Sequence, residues 1–258
     1  MKMRLLGALI LIVVLVPLLI IGGLPFEIGI AVISALSFRE LISLYKKDNK
    51  IPLVIEIFSY ISLIVITLSL DSILQAISLV IMILFILLII FKKNEYNFTK
   101  CTSLFGIITF VGVIYHSIIN IRLSGFEELL YLLLITILTD TFAYIGGKFL
   151  GRNKLLERIS PNKTIEGSLI GTIISTSLAS IFYLFFINPG MNVGVVIFIT
   201  FVLSIIGQIG DLIFSAIKRE YGIKDYSNLI PGHGGLFDRF DSIAFVSLLY
   251  IVIKLLFL

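Results

Sequence analysis

The chain has 258 residues, of which 59% are hydrophobic and only 14% charged, and its formal net charge is +4. Soluble globular domains lie nearer 45–50% apolar and about 25% charged, so an ordinary water-soluble enzyme, a disordered chain and a coiled coil are excluded. The positive balance is what the basic loops of a membrane protein produce and gives no argument for a nucleic-acid partner.

Apolar stretches of about 20 residues, enough to cross a hydrocarbon core of about 30 Å, recur along the whole chain. The first, 5–22, follows Lys2 and Arg4 as a signal peptide would. It lacks a small-residue cleavage site and many more stretches follow, so it reads as a span. Next come 25–45 and 52–69, with Glu40 and Glu56 inside them, then 72–91 and 102–121. The remaining stretches are 127–147, 168–187, 193–217 and 239–257. The expected fold is therefore an all-α polytopic integral membrane protein with nine transmembrane helices. If the N-terminus is cytoplasmic, 17 of the 20 Lys and Arg residues fall on the cytoplasmic side and the C-terminus lies outside. No internal repeat is evident, which disfavours a transporter built from duplicated halves. The single Cys101 excludes an internal disulfide and a multi-cysteine metal site.

Polarity divides the chain in two. Residues 1–125 form an N-terminal transmembrane region of five spans with short polar loops, whereas 126–258 hold two long loops, 148–167 and 218–238. Each loop adjoins a span that contains a carboxylate, Asp140 or Asp211. An ionisable residue within a span costs about 2.5–3.5 kcal/mol on insertion scales and usually faces a partner or a polar cavity. Catalysis is thus expected at the cytoplasmic mouth of the C-terminal region.

The stretch 215–241, SAIKREYGIKDYSNLIPGHGGLFDRFD, is the most informative. On the helix leading into it, Asp211, Ser215 and Lys218 fall on one face. Pro231, Gly232, Gly234 and Gly235 form a turn around His233 whose backbone N–H groups can approach a phosphate. Asp238 and Asp241 then share a face at the start of the last span, where carboxylates are favoured and can hold Mg²⁺. Cations between carboxylates suit a metal–nucleoside triphosphate.

Each of these residues also has a plainer reading. Asp140 and Asp211 could pair with Lys or Arg to fix helix packing, and Asp238 and Asp241 could only cap a helix. His233 could be a turn residue alone. In the first loop, Ser160–Pro161–Asn162–Lys163–Thr164 is more particular than topology demands, which favours a phosphate contact for Lys163. Arg152, Lys154 and Arg158 suit topology or lipid headgroups. Glu166 could merely start a helix. For Arg39, Glu40 and Glu56 the default is interhelical pairing, and His116 and Cys101 carry no functional signal.

The stretch closely resembles the signature of the phosphatidate cytidylyltransferase (CDP-diacylglycerol synthase) family. The resemblance rests on Ser215, Lys218, Arg219, Lys224, Asp225, Ser227, Pro231, His233, Gly234, Gly235, Asp238, Arg239 and Asp241. Supporting blocks are Asp140, Ala143, Tyr144 and Gly147; Ser160, Pro161, Lys163, Thr164, Glu166 and Gly167; and Gln208, Gly210 and Asp211. Family members often carry Trp where Ile165 stands. The resemblance covers roughly 140–241 and implies the reaction CTP + phosphatidate → CDP-diacylglycerol + pyrophosphate.

On that basis Asp211, Asp238 and Asp241 are expected to hold Mg²⁺, and a second cation such as K⁺ is implied to share the cluster. Lys218, Arg219 and Arg239 would clamp phosphates, with Ser215 as a further oxygen ligand or phosphate donor. His233, Gly234 and Gly235 would contact the triphosphate. Asp140, Tyr144, Ser160, Lys163, Thr164 and Lys224 complete the expected substrate-binding set. The resemblance further implies a homodimer, and the expected location is a bacterial inner membrane with the site facing the cytoplasm. The alternatives are a CTP-dependent transferase or kinase acting on another lipid, and an ion-coupled transporter.

Overall fold

The computed structural model of the chain describes residues 2–48, 51–92, 98–230, 232 and 234–257. His233 and Pro231 lie outside the described residues. Among those described there are nine helices and one two-stranded sheet. The helices are α1 (Lys2–Ile21), α2 (Gly23–Asp48), α3 (Leu53–Leu68), α4 (Ser72–Lys92), α5 (Phe98–Ser124), α6 (Phe126–Leu150), α7 (Ile165–Phe186), α8 (Val193–Glu220) and α9 (Phe237–Phe257). The strands are β1 (Lys154–Leu156) and β2 (Ser160–Thr164).

Each expected apolar stretch coincides with one helix. Among the described residues, five helices (α2, α5, α6, α7 and α8) are long and apolar enough to cross a membrane. The apolar runs Ile12–Ile21, Leu53–Leu68 and Ser72–Leu84 are shorter. The helical architecture agrees with the all-α expectation; within it, residues 154–164, expected as loop, form an antiparallel hairpin with an irregular register between Lys154 and Leu156. Its strands are three and five residues long, too short and polar to show a periodic hydrophobic pattern.

The chain divides into two compact units. The first comprises Met1–Asn120 together with Tyr226–Phe237, so part of the second long loop belongs with the N-terminal helices. Its core holds Phe38, Leu63, Leu104, Ile108 and Tyr115. Two buried polar links tie its helices: Ser37 to Tyr115 at 2.6 Å and Ser34 to Thr67 at 3.2 Å. Glu56 pairs with Lys46 of α2 at 2.6 Å, in line with the interhelical default. His116 sits beside Asn120, at 2.7 Å, and Gln75, which makes it part of a polar knot between helix ends.

The second unit comprises Ile121–Asp225 and Asp238–Leu258. Here α6 and α7 approach closely because glycines line the seam. A Cβ on Gly167 would lie 2.5 Å from the Ala143 carbonyl oxygen, and one on Gly171 would lie 2.5 Å from that of Thr139. Gly167 and Gly171 are four apart, the small-residue spacing that lets membrane helices pack backbone to backbone. A ladder of hydroxyls continues the contact to α8: Thr139 donates to Ser175 at 2.8 Å, and Ser175 to Ser204 at 3.0 Å. Tyr131 and Thr200 meet at 2.7 Å further along. Each such bond between membrane helices contributes about 0.6 kcal/mol on average. Gly167→Ala is therefore expected to destabilise the protein by about 1–3 kcal/mol through overpacking, read as a lowered thermal midpoint in detergent.

Candidate active site

Within the second unit, the C-terminal end of α6, the hairpin, the start of α7 and the C-terminal end of α8 come together. The reason is connectivity: α6, α7 and α8 run alternately up and down, so the loop after α6 and the loop after α8 share one end. Thr164 closes the hairpin and starts α7, its hydroxyl accepting from the Gly167 N–H at 3.2 Å. Glu166 does more than start a helix. Its carboxylate accepts from the backbone N–H of Arg152 at 3.0 Å and from the Asn153 side chain at 2.7 Å, which ties down the approach to β1. Arg219 holds the far side, donating from Nε to the Ile159 carbonyl at 3.2 Å and from a terminal nitrogen to that of Ile223 at 3.1 Å.

These elements enclose a cavity of about 550 Å³, a volume ordinary for ligand sites. From α6 come Asp140, Ala143, Tyr144, Gly147 and Lys148, which recur every three or four residues on one helix face. From the hairpin come Ser160, Asn162, Lys163 and Thr164, and from α7 and α8 come Ser168, Gln208 and Asp211. The α6 lining runs from Asp140 to Lys148, ~12 Å along the helix. Exposed apolar side chains flank it: Tyr144, Phe149 and Leu150 on α6, Ile165 and Leu169 on α7.

Charge is concentrated here. The Lys163 ammonium donates to Oδ2 of Asp211, and Ser215 donates to its Oδ1 at 3.3 Å. Ser242 of α9 donates to Asp140 at 3.5 Å. A Cβ on Gly210 would lie 3.0 Å from the Asp241 carbonyl oxygen, so α8 and α9 are in close contact at Asp211's neighbour. The carboxylates of Asp140, Asp211 and Asp241 consequently lie within electrostatic reach of one another, with Lys163 and Lys218 among them. Lys218 and Asp238 form a second, buried ion pair at 2.6 Å. Gln208 is fixed by Ser168 at 2.6 Å and by Thr172 at 2.8 Å, leaving it an orienting member of the wall.

The structure thus brings Asp140, Tyr144, Ser160, Lys163, Thr164 and Asp211 to one cavity, with Ser215 on Asp211. It sets Lys218 on Asp238. Lys224, Arg219 and Arg239 are exposed and do not line the cavity. Gly234 and Gly235 belong to the first unit, where the Ile230 N–H bonds to the Gly234 carbonyl at 2.9 Å. Gly234 has a φ of 86°, a conformation that favours glycine. Among the described residues, no three His, Cys, Asp or Glu side chains gather closely enough to form a ready-made metal cage. That does not exclude Mg²⁺, which is commonly held by one or two carboxylates together with water and substrate phosphates. The hard oxygen donors of Asp211 and Asp241 fit that pattern.

Sequence reading missed Lys148, Asn162 and Ser168 as lining residues. A signal existed for Lys148, which continues the Asp140–Tyr144 spacing by one more turn, and for Asn162 as neighbour of Lys163.

A model of the cytidylyltransferase family matches residues 2–257, nearly the entire chain. The chain belongs to the cytidylyltransferase family. Among its curated relatives is a phosphatidate cytidylyltransferase of Staphylococcus haemolyticus, 38% identical over 255 residues, which cover 95% of this chain and 96% of the relative. Phosphatidate cytidylyltransferases of Staphylococcus aureus and Staphylococcus epidermidis are each 36% identical over 253 residues, covering 95% and 96%. The likeness extends well beyond 140–241, so the N-terminal helices are part of what this chain shares with its relatives.

Proposed function

We propose that this chain catalyses CTP + phosphatidate → CDP-diacylglycerol + pyrophosphate, as the names of its full-length relatives suggest. The observation that carries the reading is the placement of Lys163, Asp211 and the exposed Tyr144 at one cavity. A charged interior suits phosphates, and an apolar flank suits a lipid. The phosphatidate phosphate oxygen attacks the α-phosphorus of CTP, a new P–O bond forms, and the bond to pyrophosphate breaks.

Both reactants are polyanions, so their repulsion is a large part of the barrier. Lys163 and Lys218 supply positive charge within reach of the transferring phosphoryl group, which favours the transition state where charge accumulates. Asp211 orients Lys163 and is itself oriented by Ser215. Arg219 holds the hairpin to the end of α8, keeping Lys163 in place. Ser160 and Thr164 offer hydroxyls to phosphate oxygens along the cavity wall. Asp211 and Asp241 would hold Mg²⁺, with Asp238 offering the oxygen that Lys218 leaves open, and the cation when bound would neutralise triphosphate charge. The exposed Tyr144, Phe149, Ile165 and Leu169 line a flank along which acyl chains can remain in the bilayer.

The distribution of basic residues supports nine spans with the N-terminus and the cavity mouth on the cytoplasmic side of a bacterial inner membrane. The family resemblance adds a homodimer and a K⁺ ion near the carboxylates to the reading. The test uses purified protein in detergent with Mg²⁺, phosphatidate and CTP labelled at the α- or the γ-phosphorus. The expected result is α-label in the lipid and γ-label in pyrophosphate. Transfer of γ-label to lipid would identify a CTP-dependent kinase, and no label in lipid would overturn the assignment of phosphatidate as acceptor.

A further inference from the structure

Glu40, in the C-terminal half of α2, is 5% exposed and lies in the same unit as the segment Tyr226–Phe237. Its carboxylate accepts three hydrogen bonds from that segment. The Ser227 hydroxyl donates to Oε1 at 2.5 Å, the Leu236 N–H to Oε1 at 2.9 Å, and the Phe237 N–H to Oε2 at 2.9 Å. Ser227 in turn accepts from the Leu229 N–H at 3.1 Å, and Tyr226 meets Phe237 edge to face at 5.4 Å. The segment is therefore closed at its two ends and held at both by one side chain.

Two of the three donors are backbone groups at the start of α9, where N–H groups have no partner within the helix. Glu40 satisfies them from another helix, in the place of a local cap, and its charge suits the positive end of the helix dipole. Gly235 completes the fit: a Cβ there would lie 2.7 Å from Glu40 Oε2, so the carboxylate can approach only a glycine. Asp238 follows on the first turn of that same helix, and Asp241 comes just after it.

We infer that Glu40 is a positioning residue for the reaction: it fixes Ser227 at one end of the segment and Leu236 and Phe237, the starting point of α9, at the other, and acts on substrate only through them. Ser227 and Gly235 then owe their places in the signature to Glu40 rather than to a phosphate. An ionised carboxylate accepts on both oxygens, as three donors require, whereas a Gln must turn its NH₂ toward one of the N–H groups. Asp is too short to reach.

The inference rests on the proposed reaction only for its kinetic readout, so a second readout is taken that needs no turnover. Glu40→Ala, Glu40→Gln and Ser227→Ala proteins in detergent are compared by amide hydrogen exchange and by steady-state kinetics. In Glu40→Ala, exchange in peptides covering 227–237 should accelerate about tenfold or more, while peptides covering the 152–164 hairpin keep wild-type rates. The KM for CTP should rise about tenfold with the KM for phosphatidate within twofold, because the family resemblance implies that this segment contacts the triphosphate. Glu40→Gln should reproduce most of this and Ser227→Ala a smaller part. Wild-type exchange in 227–237, or equal acceleration in both peptides, would overturn the inference, the latter by revealing a merely structural role. If wild-type protein itself fails to convert CTP, the proposed function falls and the exchange comparison alone decides the fate of Glu40.

Discussion

Asp211→Asn lowers kcat by about 10³-fold or more, while the protein still inserts and elutes as the wild type does. Asn keeps the size and one oxygen acceptor but loses the charge, so packing against Ser215 and Lys163 is retained. What is lost is the anion that orients Lys163 and that, on the proposed reading, would provide an oxygen ligand for a divalent cation. Loss of one such electrostatic element from an active site costs about 10²–10³ in rate, and loss of a metal ligand adds to it. The measurement is transfer of α-labelled CTP into lipid at saturating substrate, with the elution volume and thermal midpoint as folding controls. Turnover within tenfold of wild type would remove Asp211 from the chemistry and leave it a helix-packing residue.

Lys218→Met has the largest expected effect on stability. Its side chain is 11% exposed and that of Asp238 only 4%, so the pair is shielded from solvent. Removing the ammonium leaves an ionised carboxylate buried without the cation it faced, which typically destabilises by about 3–5 kcal/mol. Replacing both members, as Lys218→Met with Asp238→Leu, should recover most of that stability, since well-packed apolar groups often match a buried ion pair. Activity should not recover with it, because on the proposed reading Lys218 also supplies charge to phosphate. Thermal unfolding and turnover on the two variants separate the contributions. Recovered turnover in the double variant would confine the pair to a structural role.

Much of the architecture was legible because a bilayer allows few solutions. Backbone groups in hydrocarbon must bond within their own segment, so a run of about 20 apolar residues can hardly be other than a helix. The nine runs and the nine helices among the described residues coincide for this reason. The hairpin at 154–164 was not legible, since short polar strands at a membrane surface are shaped by what they pair with. Glu166 illustrates the limit. Its position three residues after Lys163 suggested a helix start, yet its hydrogen bonds run back to Arg152 and Asn153, across the hairpin.

The candidate site divides in the same way. Asp211, Ser215 and Lys218 could be placed on one face from spacing alone, because 3.6 residues per turn is a local rule. Their partners obey no local rule. Lys163 reaches Asp211 across 48 positions, and Lys218 takes Asp238 from across the turn. Glu40 binds residues 187 to 197 positions away, so nothing near it in the chain could disclose its role.

The sequence by itself determined that this chain lives in a membrane, that its helices fall where they do, and which polar residues its signature carries. Those follow from hydrophobic length and helical period, which act on neighbours in the chain. Only the tertiary structure decided which carboxylate meets which cation, that α6 and α7 touch through glycines, and that Glu40 binds the start of α9. Burial makes an unpaired charge or N–H costly, so each had to find a partner, and the packing of helices far apart in sequence settled which partner it found.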